Sequence, residues 1–145
     1  MVLDISRAYF NAKKDEGVDP TSVELPAEDP DRVDGMCGPL RVHMYGTIAA
    51  ADGWHNEYSH TLEATGFLRG DATACVFRRI DRRLVASVHG DDFTVSGPKK
   101  QLDWMRDEML KEYEFTENGR LGPSKDDDKE VKILNRIARW TVGGV

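Results

Sequence analysis

The sequence predicts an α+β fold: an antiparallel sheet with helices packed on one face, close to the ferredoxin-like split βαβ layout. Three observations carry this. The segments "ACVFRR", "LVASVH" and "FTVSG" are short, rich in β-branched and aromatic residues and separated by turn sequences, so they read as consecutive antiparallel strands. Before and after them lie "IAAADGWHNEYSHTLEATG" and "PKKQLDWMRDEMLKEY", whose apolar residues recur at helical spacing. Further extended segments follow the second helix.

Taken in order, Val2 to Ile5 is a short apolar run, after which Ser6 or Asp4 could cap a helix through "RAYFNAKK". A Pro- and Asp-rich acidic loop spans about 13–36, and "PLRVHMYGT" has extended character. In the next helix Ala50, Trp54, Tyr58 and Leu62 recur every four residues, and Gly66 is the expected stop. The strands "ACVFRR" and "LVASVH" join through the turn "IDRR", and "GDD" leads into the third strand. Val85, Val88, Phe93 and Val95 make both strands around "GDD" apolar enough to be buried. Gly97-Pro98 signals a helix start with Pro at its first position, and Leu102, Met105, Met109 and Leu110 line its apolar face. "YEFTENGRLG" reads as strand and turn, about 122–130 as a solvated charged loop containing "KDDDKE", and "EVKILNRIARWTV" as a terminal strand pair.

A length of 145 residues predicts a single domain over 1–145. No apolar run approaches the roughly 20 residues needed to span a bilayer. The start "MVLDISRAYF" lacks the pattern of a signal peptide, and Cys37 and Cys75 show no CxxC spacing. Together these predict an intracellular protein with reduced thiols, one of them buried. The net charge is −6, but it is uneven: residues 1–35 carry nine acidic and four basic side chains, whereas 36–145 carry 17 and 16. A surface that binds a nucleic-acid backbone is therefore compatible with the overall acidity. "RRIDRR" reads as an exposed charged turn, and His43, His55 and His60 lack metal-ligand spacing.

The chemistry centres on "VHGDDF". Two adjacent carboxylates repel, and burial beside apolar strands raises the cost of ionising them. A turn with solvated side chains would account for the pair. Asp4, however, also ends an apolar run, and if its strand lies beside the hairpin it arrives next to Asp91 at the same end of the sheet. Three converging carboxylates call for divalent cations, and oxygen-only donors select Mg²⁺ or Mn²⁺. Two such ions a few ångströms apart suit in-line displacement at phosphorus. His89 adjoins the pair and either tunes its charge or stands in for an aromatic.

These residues carry a resemblance. "LDISRAYFNA" resembles the first catalytic motif of reverse transcriptases, and "VHGDDF" their paired-Asp hairpin, with His89-Gly90 where the family usually has an aromatic and a small or apolar residue. "RVHMYGTIAAADGW" has the spacing of the middle motif of the Copia-type long-terminal-repeat retrotransposon branch, with Tyr45-Gly46 and Trp54 in matching places. "GFLRGDATACVFRR" resembles that branch's stretch before the hairpin, and "GRLG…EVKILNRI" its primer-gripping region. The match runs through nearly the whole chain in order. It departs in the middle motif, where Ile48, Ala49 and Asp52 replace a Lys, a Gln and an Arg.

The resemblance implies a ferredoxin-like polymerase palm, with the start of the fingers, the thumb and the RNase H region lying outside the chain. It implies an RNA-directed DNA polymerase activity with Asp4, Asp91 and Asp92 as catalytic ligands of two Mg²⁺ or Mn²⁺ ions. Tyr9 would lie under the nucleotide sugar and exclude a 2′-hydroxyl, and Gly46 would let the backbone approach the nucleotide or templating base. The implied partners are an RNA or DNA template with its primer, deoxynucleoside triphosphates and the rest of a polyprotein, with no membrane, in the cytoplasm or nucleus. Polymerisation by the isolated segment is expected to be weak or nil. The alternative is a decayed, inactive retroelement fragment. A nucleotidyl-cyclase-like palm shares the acidic hairpin, but the Gly-Gly-acidic signature is missing. A non-catalytic module is the default should Asp4 and Asp91 lie at opposite sheet ends.

Overall fold

In chain order the elements are β1 (Val2–Ile5), α1 (Ala8–Asn11), β2 (Ser22–Glu24), β3 (Cys37–Pro39), α2 (Ala50–Ala64), β4 (Leu68–Arg69), β5 (Val76–Arg79), β6 (Leu84–His89), β7 (Asp92–Ser96), α3 (Lys99–Glu112), β8 (Phe115–Gly119), β9 (Glu130–Ile133) and β10 (Arg136–Arg139). The computed structural model describes residues 1–14 and 21–141. The chain divides into two compact units, Met1–Arg7 with Ser59–Val145, and Ala8–Tyr58. The architecture is mixed α+β, as the sequence predicts.

The larger unit holds a six-stranded sheet in the order β4-β5-β6-β7-β1-β8, with every pairing antiparallel. Its strands alternate, so one face is buried and the other polar. Leu84, Ala86 and Val88 of β6, Phe93 and Val95 of β7, and Leu3 and Ile5 of β1 are all buried. Apart from Ala86, each such side chain contributes about 1.5–3 kcal/mol relative to exposure. Val85, expected among them, falls on the other face and is exposed. From α3, Leu102, Met105 and Met109 are buried, whereas Leu110 is exposed because it sits about 100° around the helix from Met109. Tyr113 takes the place expected for Leu110, and its hydroxyl shares a 2.7 Å hydrogen bond with the Thr61 hydroxyl.

Helix α2 fits its pattern. Ala50, Trp54, Tyr58 and Leu62 are all buried. Gly66 ends the helix at φ +86°, and the Phe67 amide returns to the Leu62 carbonyl in a glycine-dependent C-terminal motif. Pro98 is the N-cap of α3 rather than its first helical residue. Helix α1 stops after four residues instead of running through "RAYFNAKK", and Asp4 is part of β1 rather than a cap. Arg7, at φ +52°, forms a tight left-handed link between β1 and α1.

Two loop expectations change. Part of the acidic loop at 13–36 is ordered as β2, which pairs with β3; residues 15–20 of that loop lie outside the described residues. The "KDDDKE" segment is built rather than merely solvated. The Asp127 carboxylate accepts from the Ser124 amide at 2.9 Å and from Lys99 Nζ at 2.9 Å, and Asp128 accepts from the Arg120 amide at 2.7 Å. "RRIDRR" is likewise partly engaged: the Arg79 and Arg82 guanidiniums lie 4.6 and 3.9 Å from the Trp104 ring centroid. Neither cysteine is fully buried. Among the described residues no helix is long and apolar enough to cross a membrane.

Candidate functional site

The β6–β7 hairpin closes on two residues. His89 pairs with Asp92, leaving Gly90 and Asp91 as the turn, and Gly90 takes φ +62° at the first central position. A two-residue hairpin loop needs a left-handed residue there, which a Cβ disfavours. So the chain spends its glycine on the turn and is free to put carboxylates at Asp91 and Asp92. Asp91 tops the turn, and Asp92 opens β7.

Strand β1 lies on the other side of β7, and the register sets Val2 against Thr94, Leu3 against Phe93 and Asp4 against Asp92. Met1 and Val95 exchange both backbone hydrogen bonds, at 3.0 and 2.8 Å, and the Ile5 amide donates to the Asp91 carbonyl at 2.9 Å. Alternation then makes Asp4–Asp92 a non-hydrogen-bonded pair, the type in which opposed side chains come closest, with Cα atoms roughly 4.5 Å apart. Asp4 thus reaches the hairpin at the same end of the sheet as Asp91, as expected. The member directly opposite it is Asp92, while Asp91 meets β1 through its backbone.

The register extends this into a row. His89 of β6 faces Asp92, Asp92 faces Asp4, and Asp4 faces Thr116 of β8, so four polar side chains line one level of the non-core face. Burial pushes the Asp92 carboxyl above its ordinary range, the charges of Asp91 and Asp4 push it further, and His89 acts in the opposite sense. Two carboxylates facing each other across a ladder destabilise it. Among the described residues no group of three or more His, Cys, Asp or Glu side chains is gathered closely enough to hold a metal ion. The row is a site of like charges on a rigid support rather than a closed cage.

Beside Asp92 opens a polar cleft of about 460 Å³, lined also by Asn118, Lys132, Leu134 and Asn135. Sequence reasoning did not single out these four. The signal was present: "LN" between the strands "EVKI" and "RIAR" is a two-residue hairpin turn, and both residues adopt left-handed φ, +46° and +62°. Asn tolerates that region; Leu does not. Leu134 is therefore a strained, exposed residue at the lip of the cleft. Further along the same hairpin, Val131, Ile133, Ala138 and Trp140 join Val2 and Leu102 around a mainly apolar cavity of about 400 Å³.

Tyr9 and Gly46 belong to the smaller unit. The Tyr9 ring is half-buried and meets the Tyr45 ring edge-on. Gly46 has φ +84° with open space where a Cβ would stand, so the turn alone accounts for glycine. His43 is buried against Gly53, and His55 Nδ1 lies 2.6 Å from the Tyr58 hydroxyl. No family model, no curated protein and no solved structure matches this chain.

Proposed function

We propose that this chain is the palm segment of a Copia-type long-terminal-repeat retrotransposon reverse transcriptase, an RNA-directed DNA polymerase that extends a primer 3′-hydroxyl. The observation that carries the reading is the register of Asp4 against Asp92, with Asp91 at the adjoining turn. Two motifs far apart in the chain meet at one end of one sheet, as the resemblance requires. The position of the acidic hairpin beside β1, inside an antiparallel sheet, supports a ferredoxin-like palm.

The chemistry of the donors suits the implied metals, although among the described residues the three carboxylates are not gathered into a cage. Asp4, Asp91 and Asp92 offer only oxygen, which suits Mg²⁺ or Mn²⁺, and cations would relieve the repulsion from Asp91 and Asp4 that adds to burial in raising the Asp92 carboxyl. Asp4, Asp91 and Asp92 would hold the ions, which when bound would supply activation of the primer hydroxyl and charge neutralisation at the leaving pyrophosphate. The chain's own part is to hold Asp4 and Asp92 on paired strands and Asp91 on the adjoining turn, a rigid support for the site. Lys132, beside the same cleft, offers a cation for a primer phosphate. Tyr9 would test the sugar for a 2′-hydroxyl, and Gly46 would approach the nucleotide. Template, primer, deoxynucleoside triphosphates and the remaining polyprotein are the partners of this reading.

Calorimetric titration with Mn²⁺ tests it. The parent chain should bind, and Asp4→Asn and Asp92→Asn should each weaken binding at least about tenfold, since even the partners that only orient a metal's ligands are worth about that much. Metal-free Asp92→Asn should unfold no earlier than the parent, because it removes a cross-strand repulsion. A parent that binds no Mn²⁺, or variants that bind as well as the parent, would sink the reading. A second reading, an inactive remnant, is favoured by the altered middle motif, where Ile48 stands 101% exposed in place of a functional group. Primer extension by the parent, abolished in Asp91→Asn, would exclude the remnant; a parent that binds no Mn²⁺ would support it.

A further inference from the structure

Tyr9 and Phe10 are neighbours on α1, a helix of only four residues that offers little of its own to hold a ring. Tyr45, from the loop before α2, stands edge-on to both, with ring centroids 4.3 Å from Tyr9 at 89° and 5.8 Å from Phe10 at 79°. These are favoured aromatic geometries. Tyr45 is 44% exposed and Phe10 43%, so the three rings gather at the surface of the smaller unit rather than in a core. Gly46, directly after Tyr45, turns the backbone through φ +84° with no neighbour that would demand it on packing grounds. In this accessible cluster the closest ring contact is the edge-to-face pair of Tyr9 and Tyr45.

We propose that Tyr45 is a positioning residue: its ring fixes the Tyr9 ring, so that selection of deoxyribose over ribose at Tyr9 depends on Tyr45. This rests on the polymerase reading above. A ring that tests for a 2′-hydroxyl discriminates only if it does not yield, and a single edge-to-face partner supplies a factor of about two to ten against yielding. Phe10, held at a longer distance, is a secondary brace.

The test is calorimetric binding of dATP and of ATP, each with Mn²⁺, to the full chain. The parent should prefer dATP, Tyr9→Ala should abolish the preference, and Tyr45→Ala should reduce it about two- to tenfold. Tyr45→Phe should keep it, since it keeps the ring. A merely structural role would weaken both nucleotides alike and leave the ratio unmoved. Tyr45→Leu, which retains apolar bulk, serves where Tyr45→Ala lowers the unfolding midpoint, and should show the same reduced ratio. If the parent prefers dATP and both Tyr45→Ala and Tyr45→Leu keep that preference, the inference falls and the polymerase reading stands. If the parent binds neither nucleotide, or binds both equally, the polymerase reading of Tyr9 fails and takes the inference with it.

Discussion

The larger unit contains two hairpins that end in two-residue turns, and they are built on opposite terms. The β6–β7 hairpin lies inside the six-stranded sheet, flanked by β5 on one side and β1 on the other. Its turn takes a glycine where the backbone needs one. The β9–β10 hairpin is a sheet of its own with two strands, and its turn forces Leu134 and Asn135 into left-handed conformations. An isolated two-stranded hairpin is marginal in water. The first hairpin therefore has stability to spare for two like charges at its tip, whereas the second relies on side-chain packing, such as that of buried Val131, to offset the strain at its turn. Functional carboxylates are held by the element whose geometry is over-determined, and the adaptable element forms the lip of the cleft beside them.

The largest effect should come from weakening the first hairpin. Phe93 is fully buried, opposite Leu3 on one side and Val88 on the other. Phe93→Ala should cost about 3–5 kcal/mol, the range for removing a core aromatic. Chemical denaturation should register this as a large fall in midpoint. Ile137→Ala, on the exposed part of β10, should change it by less than about 0.5 kcal/mol. Equal effects would mean that the two hairpins share one level of support.

A smaller effect of opposite sign should come from relieving the second hairpin. Leu134→Gly removes a left-handed penalty of about 1–2 kcal/mol and adds a backbone entropy cost of about 0.5–1 kcal/mol. The variant should gain roughly 0.5–1 kcal/mol, seen as a higher thermal midpoint. A loss instead would show that the Leu134 side chain contributes more at the cleft than its backbone costs.

The same contrast explains what could be read from the sequence. Alternation and helical spacing are local signals, and they located β5, β6, β7, α2, α3 and the strand pair β9–β10. They misplaced Val85 and Leu110 because the face of an element is decided by position within its period, and one residue shifts it. The β2–β3 pair left no signal: "SVE" and "CGP" have no apolar alternation, and Gly and Pro are poor strand residues. The candidate carboxylates were legible as residue types at strand ends. That Asp92 rather than Asp91 faces Asp4 was not, because register between distant strands follows from the packing of Leu3, Phe93 and Val95 on the core face. Lys132, Asn118 and Asn135 stayed unread for a related reason, since only the folded hairpin brings them beside Asp92.

The smallest effect concerns how the second hairpin is attached. The loop before β9 is anchored by Asp127, whose carboxyl is held below its ordinary range, chiefly by the hydrogen bond from Lys99 and then by the Ser124 amide. A carboxyl with a lowered folded-state pKa contributes stability that is fully present above its unfolded-state value and lost as pH falls through the folded one. The contact with Lys99 is a surface ion pair, so the contribution is modest and screened by salt. Asp127→Asn should therefore unfold slightly earlier than the parent near neutral pH. The difference should shrink as pH is lowered through the acid carboxylate range and as salt is raised. Because the anchor acts on the loop and not on the sheet, hydrogen exchange should quicken in β9 and β10 while β6 and β7 keep their protection. Exchange that quickened equally in both hairpins would join them into one cooperative element and remove the contrast between them.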